Sequence, residues 1–390
     1  MRNRHNRAMP HPIDPNRAEP LLGGLTPQQF MRRHWHKKPL LVRRALAPAQ
    51  APVSRSELFS LAMQQDVESR LVRRTRGRWH MDAGPFDQGA LPSVTQARWT
   101  LLVQGLDLHL PAAHHLMSRF RFIPDARLDD VMVSYASDGG GVGPHVDSYD
   151  VFLLQIHGRR RWRIGRVDRP ELVPGLPLKI LSNFVAEHDW LLEAGDLLYL
   201  PPGWGHDGVA DGETMTCSIG FRSASRDEFA REVLQRSLNA ADEGAESAPS
   251  SPWYRDGNQS ATTTPAKIPE TMQAFARQAV DRLVGDSRAL ACSLGEWLSE
   301  PKPQVWFDDS EPIDPHCGVL LDIRTRMMWD QWHVFINGES FRAAGKDAKL
   351  MRRLADQRFL GAADRGRLGP QAAQLLAEWA CAGWVLAMSG

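Results

Sequence analysis

The residues of this 390-residue chain best suited to chemistry are a histidine and an aspartate spaced two apart, His145 and Asp147. Alternate side chains of a β-strand point to the same face, so a strand here would present both residues to one side. The glycine-rich run GGGVG precedes the pair and permits unusual backbone dihedrals and the close approach of a substrate. An imidazole and a carboxylate on one face predict a metal site.

A third ligand is expected from a distant strand that a closed β-fold brings alongside. The segment LEAGDLLYLPPGWGHDGVA supplies His206, after a turn at Gly195-Asp196, a buried strand LLYL and a tight corner at residues 201–203. Two histidines and one carboxylate leave three coordination positions open, which is the facial arrangement of non-haem Fe(II) oxygenases. We therefore predict that the catalytic metal ligands are His145, Asp147 and His206. The spacing of the first two is weak evidence alone and gains specificity from the later GDxLYxPxGxxH pattern.

The arginine-rich run RRRWRI at 159–164 offers a cation for an anionic co-substrate. Trp162 and Ile164 are apolar, so we expect their face of a strand to point inward. Arg160 shares that parity, whereas the other three arginines would point outward. Burial of Arg160 would be costly unless an anion paired with it, and its planar guanidinium suits a carboxylate. The alternative is a solvated basic hairpin.

These residues need a β-rich scaffold between two helical regions. Thr26 is placed to cap a helix through PQQFMRRHW, and Pro39 forces an extended exit into LLVRRAL. From about 70 to 225, short apolar runs separated by Gly, Pro and Asp predict an antiparallel β-sandwich or barrel. After Arg222 the pattern is helical, with a Ser-, Thr- and Pro-rich loop near 240–265. The last ninety residues combine helices with one or two short strands.

Composition excludes several function classes. The net charge is +1, because 47 Lys and Arg nearly balance 46 Asp and Glu, so we expect no direct nucleic-acid binding. The four cysteines form no CxxC pair, which excludes a cysteine-rich zinc site. The basic start lacks the apolar segment of a secretory signal, and no apolar run approaches the length of a membrane span. We expect a cytoplasmic protein without a membrane partner.

Four stretches together resemble the JmjC-type ribosomal oxygenases of the cupin class: HWHKKPLLVRRAL, VMVSYASDGGGVGPHVDSYDVFLLQIHGRRRWRIG, LEAGDLLYLPPGWGHDGVA and TCSIGFR. They are most similar to the bacterial member that 3-hydroxylates an arginine of large-subunit ribosomal protein sixteen. The resemblance implies Fe(II) as cofactor and 2-oxoglutarate and O₂ as co-substrates. It matches His145, Asp147 and His206 to the iron ligands, Arg160 to the 2-oxoglutarate arginine, and Ser134 to a position that also contacts 2-oxoglutarate.

The resemblance also implies a mainly β architecture with α: a double-stranded β-helix (jelly-roll or cupin, JmjC) catalytic domain, a helical region and a C-terminal winged-helix-like domain. We expect a flexible arm at 1–24, the catalytic domain at 25–225, a helical dimerisation region at 226–300 and the winged-helix-like domain at 301–390. A homodimer is expected, although the apolar stripes at 226–242 and 268–286 could equally pack within one chain.

An arginine substrate needs carboxylate or aromatic partners at the mouth of the site. The candidates flanking the ligand strand are Tyr135, Asp138, Tyr149 and Asp150, and the last two could equally serve only to support the barrel. Relatives in the family hydroxylate either arginine or histidine, so a histidyl hydroxylase is the first alternative. A cupin metalloenzyme without 2-oxoglutarate would have no use for Arg160. A degenerate barrel acting as a binding module is disfavoured by the complete ligand set.

Overall fold

The structure, a computed structural model, describes residues 14–47, 50–87, 89–244, 254–255, 266 and 268–388, with residues 240–244 as backbone only. Most of the predicted 240–265 loop and the first thirteen residues of the predicted arm lie outside the described residues. The arm prediction is wrong at its end, because residues 20–22 form a 3₁₀ helix in which Leu21 and Leu22 are buried in the main apolar core. The chain divides into two compact units.

Sixteen strands and ten α-helices occur in the described part of the chain. The strands are β1 Leu40–Val42, β2 Ser69–Thr75, β3 Arg78–Ala83, β4 Trp99–Val103, β5 Leu128–Ala136, β6 His145–Val146, β7 Val151–Arg166, β8 His188–Glu193, β9 Leu197–Leu200, β10 Trp204–Phe221, β11 Val319–Leu321, β12 Met327–Trp329, β13 His333–Ile336, β14 Glu339–Arg342, β15 Phe359–Leu360 and β16 Val385–Ala387. The helices are α1 Pro27–Arg33, α2 Arg55–Leu61, α3 Leu106–His109, α4 Pro111–Ser118, α5 Arg226–Gly244, α6 Glu270–Gly285, α7 Ser287–Ser299, α8 Gly345–Gln357, α9 Ala362–Arg365 and α10 Pro370–Cys381.

The first unit comprises residues 1–223, 302–324 and 356–390 and contains an antiparallel sheet of ten strands. β7 pairs with β9 through its first four residues and with β8 through residues 159–164. β10 follows β7 along its length and also pairs with β6 near its start and with β5 after residue 213. Both long strands thus run through two layers, which is the pattern of a double-stranded β-helix.

The passage from one layer to the other coincides with a break in strand register. The pairing of β7 with β10 shifts between Asp211 and Met215, and Gly158 has a φ of +64° at the same level of β7. A side chain at Gly158 would collide with the carbonyl of Glu213, since a Cβ there would stand 2.0 Å from that oxygen. Gly158 therefore accommodates a bulge within one continuous strand.

The two faces of the ten-stranded sheet have different surroundings. One face packs against the N-terminal segment and helices α1, α2 and α4, in an aromatic-rich core that includes Phe30, Trp99, Phe152 and Tyr199. The other face encloses a smaller apolar cluster around Trp162 together with a cavity. The predicted cap is confirmed, because the Thr26 side chain accepts from the backbone of Gln29 at the start of α1.

The second unit comprises residues 224–301 and 325–355. It contains α5, α6, α7, α8 and the three-stranded sheet β12–β13–β14. Helix α7 packs on β13, where Gly295 leaves room for the ring of Phe335, since a Cβ on that glycine would stand 2.2 Å from the ring. The sequence predicts helices with one or two short strands in the last ninety residues; the helices α8, α9 and α10 are present, but the structure has six short strands there, β11 to β16. Among the described residues, no helix is both long and apolar enough to cross a bilayer.

Candidate metal and co-substrate site

The structure brings His145, Asp147 and His206 together, as their spacing and the closure of the sheet predict. One potential ligand atom from each residue lies within 4.8 Å of the other two. The imidazole Nε2 of His206 is 3.7 Å from Oδ2 of Asp147, and the two histidine rings have centroids 4.2 Å apart. The pairing of β6 with β10, which sets His145 opposite His206, accounts for this proximity.

Backbone carbonyls fix the orientation of both imidazoles. Nδ1 of His145 lies 3.0 Å from the carbonyl oxygen of Gly143, and Nδ1 of His206 lies 3.1 Å from that of Trp204. A carbonyl only accepts, so each Nδ1 carries the proton and each Nε2 keeps its lone pair for a metal. Burial, assisted by the neighbouring His145, lowers the pKa of His206 to about 4, which keeps its imidazole neutral as a ligand must be. The donor set fits Fe(II).

A cavity of about 480 Å³ extends from these three residues into the sheet. Most of its wall follows the alternation of the strands: β5 contributes Asp130, Met132 and Ser134, with Asp129 added at the start of that strand, and β10 contributes Thr216 and Ser218. The residues between them, such as Tyr135, face the aromatic core instead. The cavity therefore lies on the inner side of these strands, where polar and apolar side chains mix, whereas their outer side packs into the apolar core.

Arg160 lies in this cavity, as the parity of its strand predicts. It is 4% exposed, and its Nη1 donates to the hydroxyls of Ser134 at 3.0 Å and Thr216 at 3.2 Å. Its Nε has no hydrogen-bond partner, and no carboxylate pairs with it among the described residues. Burial lowers its pKa to about 10, which leaves the guanidinium charged at neutral pH. A buried cation with free donors fits a carboxylate ligand.

Two side-chain hydroxyls accept hydrogen bonds from the Arg160 guanidinium, and the sequence predicts only one of them. Ser134 stands where the sequence placed it, on β5 before the glycine run. Thr216 was missed, although TMTCSIGF alternates polar and apolar residues and puts the threonine on the same face as Ser218. The hydroxyl of Thr216 donates in turn to Gln155 at 3.0 Å, so the anchor is braced by a polar network.

The four tentative substrate residues do not stand together. Only Tyr149 lines the cavity. Tyr135 is fully buried in the aromatic core, because it follows Ser134 and so points to the opposite face. Asp150 is also fully buried and accepts from the hydroxyl of Tyr199 at 2.5 Å, while Asp138 accepts from the backbone N–H of Gly212. A substrate role for Tyr135, Asp138 and Asp150 has no structural support, since none of the three lines the cavity.

Comparison with known proteins identifies the family of this chain. The family model for the JmjC domain matches residues 115–229, and that for the ROXA-like winged helix matches residues 282–385. The Escherichia coli protein named ribosomal protein uL16 3-hydroxylase is 37% identical over 290 residues, covering 73% of this chain and 74% of its own length. This chain belongs to the JmjC-type ribosomal oxygenases. A probable ribosomal oxygenase of Haemophilus influenzae is 36% identical, covering 51% of this chain and 50% of its own.

Solved structures of the Escherichia coli ribosomal oxygenase YcfD have the same fold. One superposes with a TM-score of 0.82 and 30% identity, over 93% of this chain and 98% of that one. Another, a complex with cobalt and 2-oxoglutarate, has a TM-score of 0.77 and 29% identity, over 94% and 99% of the two chains. The predicted family, the JmjC cupin fold with a winged helix, and dependence on Fe(II) and 2-oxoglutarate are confirmed for this ribosomal oxygenase.

Proposed function

We propose that this ribosomal oxygenase 3-hydroxylates an arginine of large-subunit ribosomal protein uL16, the protein named in its Escherichia coli relative. The observation that carries the proposal is a single cavity with three parts. Three potential metal ligands lie at its wall, a buried unpaired arginine lies inside it, and two aspartates and a tyrosine line it as well. A metal, a dicarboxylate and a cationic side chain would each find complementary groups there.

In this proposal His145, Asp147 and His206 hold Fe(II), each imidazole through Nε2. With 2-oxoglutarate and O₂ bound, the iron supplies oxidative decarboxylation to succinate and CO₂ coupled to hydroxylation of an unactivated C–H bond. The chain contributes geometry, because the carbonyls of Gly143 and Trp204 hold the two rings in place before the metal arrives.

Arg160 binds the distal carboxylate of 2-oxoglutarate. Its Nη1 is committed to two hydroxyls, whereas its Nε is free to donate. The hydroxyl of Ser134 is close enough to share the same carboxylate. Because the site is buried, a charge-assisted pair formed there is stronger than it would be in water.

The target guanidinium would be recognised by Tyr149 and by the β5 carboxylates Asp129 and Asp130. All three line the cavity. Asp130 has the parity of Met132 and Ser134 and is 8% exposed, so its charge lies in a partly desolvated environment. Ion pairing with a buried carboxylate and stacking on a phenol ring suit an arginine better than a neutral histidine.

The decisive experiment incubates the purified protein with Fe(II), 2-oxoglutarate, O₂ and ribosomal proteins from a strain lacking the enzyme, and then maps added oxygen by mass spectrometry. We expect 16 Da on one arginine of uL16, together with succinate. Modification of a histidine on another ribosomal protein would instead identify a histidyl hydroxylase. Turnover without 2-oxoglutarate would identify a cupin metalloenzyme of another class.

We also propose a cytoplasmic homodimer with a catalytic domain ending near 225, a helical dimerisation region at 226–300 and a winged-helix-like domain at 301–390. Exposed apolar side chains on α5 and α6 support the dimer, since a monomer would leave them in water. They are Phe229, Leu234, Leu238, Met272, Val280 and Val284. Light scattering should give twice the chain mass, and Leu238→Glu with Val280→Glu should reduce it to a monomer.

A further inference from the structure

A lysine far along the chain reaches the carboxylates of the proposed substrate pocket. Lys302 follows α7 and belongs to the same compact unit as the catalytic sheet. Its Nζ lies 3.2 Å from Oδ1 of Asp129 and 3.7 Å from Oδ2 of Asp130. The Lys302 side chain is 30% exposed, and that of Asp130 is 11% exposed, so this ion pair is partly shielded from water.

The two oxygens of Asp130 have different surroundings. Oδ2 accepts from the backbone N–H of Gly105 at 3.3 Å and faces Lys302. Oδ1 is directed toward Gly220, where a Cβ would stand 3.4 Å from it, and Gly220 lines the cavity. One oxygen is therefore held from behind while the other is turned to the space that a substrate would enter.

Lys302 also acts on the charge of this carboxylate. Burial raises the pKa of Asp130, and Lys302 opposes that rise more than any other neighbour does. The nearby Asp129 acts in the same direction as burial. Without the lysine, the charge of Asp129 would act unopposed on the poorly solvated carboxylate of Asp130, and protonation of Asp130 would be favoured.

We propose that Lys302 is a positioning residue for substrate recognition, which holds Asp130 oriented so that its second oxygen, on the side of Gly220, pairs with the target guanidinium. This inference rests on the proposed function, since it needs a cationic target side chain. Asp130 and Tyr149 contact the substrate, and Lys302 acts only through Asp130. A residue 172 positions after Asp130 in the chain thus completes the specificity of the site.

Two other roles for Lys302 predict different results: it could compete with the substrate for Asp130, or it could form an ion pair that only stabilises the fold. If Lys302 competed with the substrate for Asp130, its removal would tighten binding of an arginine peptide. If it only stabilised the fold, its removal would affect charged and neutral peptides alike. A peptide spanning the mapped uL16 arginine and its analogue with citrulline, which is neutral but nearly isosteric, separate these cases.

The test measures KM and kcat for the arginine peptide and the inhibition constant of the citrulline peptide. For Lys302→Met we expect KM to rise about tenfold, kcat to stay within about twofold, and citrulline inhibition to be unchanged. Lys302→Arg should restore KM. In an Asp130→Asn background, Lys302→Met should have no further effect on KM. Lys346→Met, at an exposed position of α8, is the matched control.

An unchanged or lower KM for Lys302→Met, or an equal loss for both peptides, would overturn the inference. Lys302→Gln keeps a donor while removing the charge and serves if the methionine variant does not fold. Failure of the proposed function is distinguishable, because the wild-type enzyme would then leave the arginine peptide unmodified.

Discussion

The two faces of the central strands differ in what they bury: one packs into the aromatic core, and the other lines the cavity. On β5 and β10 the inner face carries Ser134, Thr216 and His206, while the outer face carries residues such as Tyr135 and Cys217. Both faces are buried, but the inner one carries the polar side chains that line the cavity, among them Arg160, whose Nε has no hydrogen-bond partner. Buried polar groups cost stability unless something pairs with them, so their concentration on one face marks where ligands bind.

The outer face has the opposite character. Phe152 packs against Phe30, Phe120, Tyr199 and Phe221 with ring centroids 4.7 to 5.7 Å apart. These contacts fill space and bury apolar area without any group that a ligand would use. The contrast shows that alternate residues of one strand can stabilise the core, while the residues between them line the ligand site. Substitutions on the two faces should therefore have separable effects.

The largest effect is expected at the metal ligands. His145→Ala should abolish arginine hydroxylation and succinate formation, a loss of about a thousandfold or more, because two ligands cannot hold the metal in place. Unfolding in denaturant should change little, and calorimetric titration with Co(II) should show lost affinity. His80→Ala, at an exposed edge-strand position, is the control. Retained turnover would refute the ligand assignment.

Phe152→Ala tests the outer face. Removal of this fully buried ring should lower the free energy of unfolding by about 3–5 kcal/mol, since a cavity is left among four aromatic rings. Denaturant titration measures the change, and Leu172→Ala, at an exposed position, should be neutral. The Co(II) affinity of the folded fraction should match that of wild type. A specific loss of metal affinity would contradict the separation of the faces.

Arg160→Met tests the polar inner face without touching a metal ligand. We expect KM for 2-oxoglutarate to rise about a hundredfold, because a charge-assisted pair in a buried site is lost. The apoprotein should be as stable as wild type or more so, since an unpaired buried cation has been removed. Arg159→Met is the matched control, because that neighbouring arginine points outward and is 54% exposed. Equal effects of both variants would argue against an inward anchor.

Asp107 is a polar residue on the apolar side of the sheet, and its substitution should have the smallest effect of the four. It accepts from the backbone N–H of Val131 at 2.8 Å, and burial raises its pKa to about 6. Between its ordinary pKa and 6 the folded protein retains a proton that the unfolded chain releases, so stability falls as pH rises through this window.

Asp107→Asn removes this titration. Relative to wild type, the variant should gain about 2 kcal/mol in the free energy of unfolding at pH 7.5 compared with pH 3.5. Thermal or denaturant unfolding at the two pH values measures the difference, with the exposed Asp87→Asn as control. A difference independent of pH would mean that Asp107 is ionised without penalty in the folded state.

Prediction from the sequence succeeded where the position of a residue within its own strand or helix decides which way it points or what it binds. The parity of Trp162 and Ile164 was enough to orient Arg160, and the capping residue Thr26 was enough to begin α1. It did not find the bulge at Gly158, because a register shift between two long strands leaves no local pattern in the sequence. Tyr135 and Asp150 were misread because closeness to the ligand strand along the chain does not decide which face a side chain takes.

The amino-acid sequence alone determined the three metal-ligand candidates, the inward arginine and the succession of β-rich and helical regions, because each depends on residue type and on spacings of two or about four along the chain. Only the tertiary structure decided that Thr216 shares the anchor with Ser134 and that Lys302 reaches Asp130. Those relations join segments that are far apart in the chain, and strand pairing and packing, rather than local preference, set the distances between them.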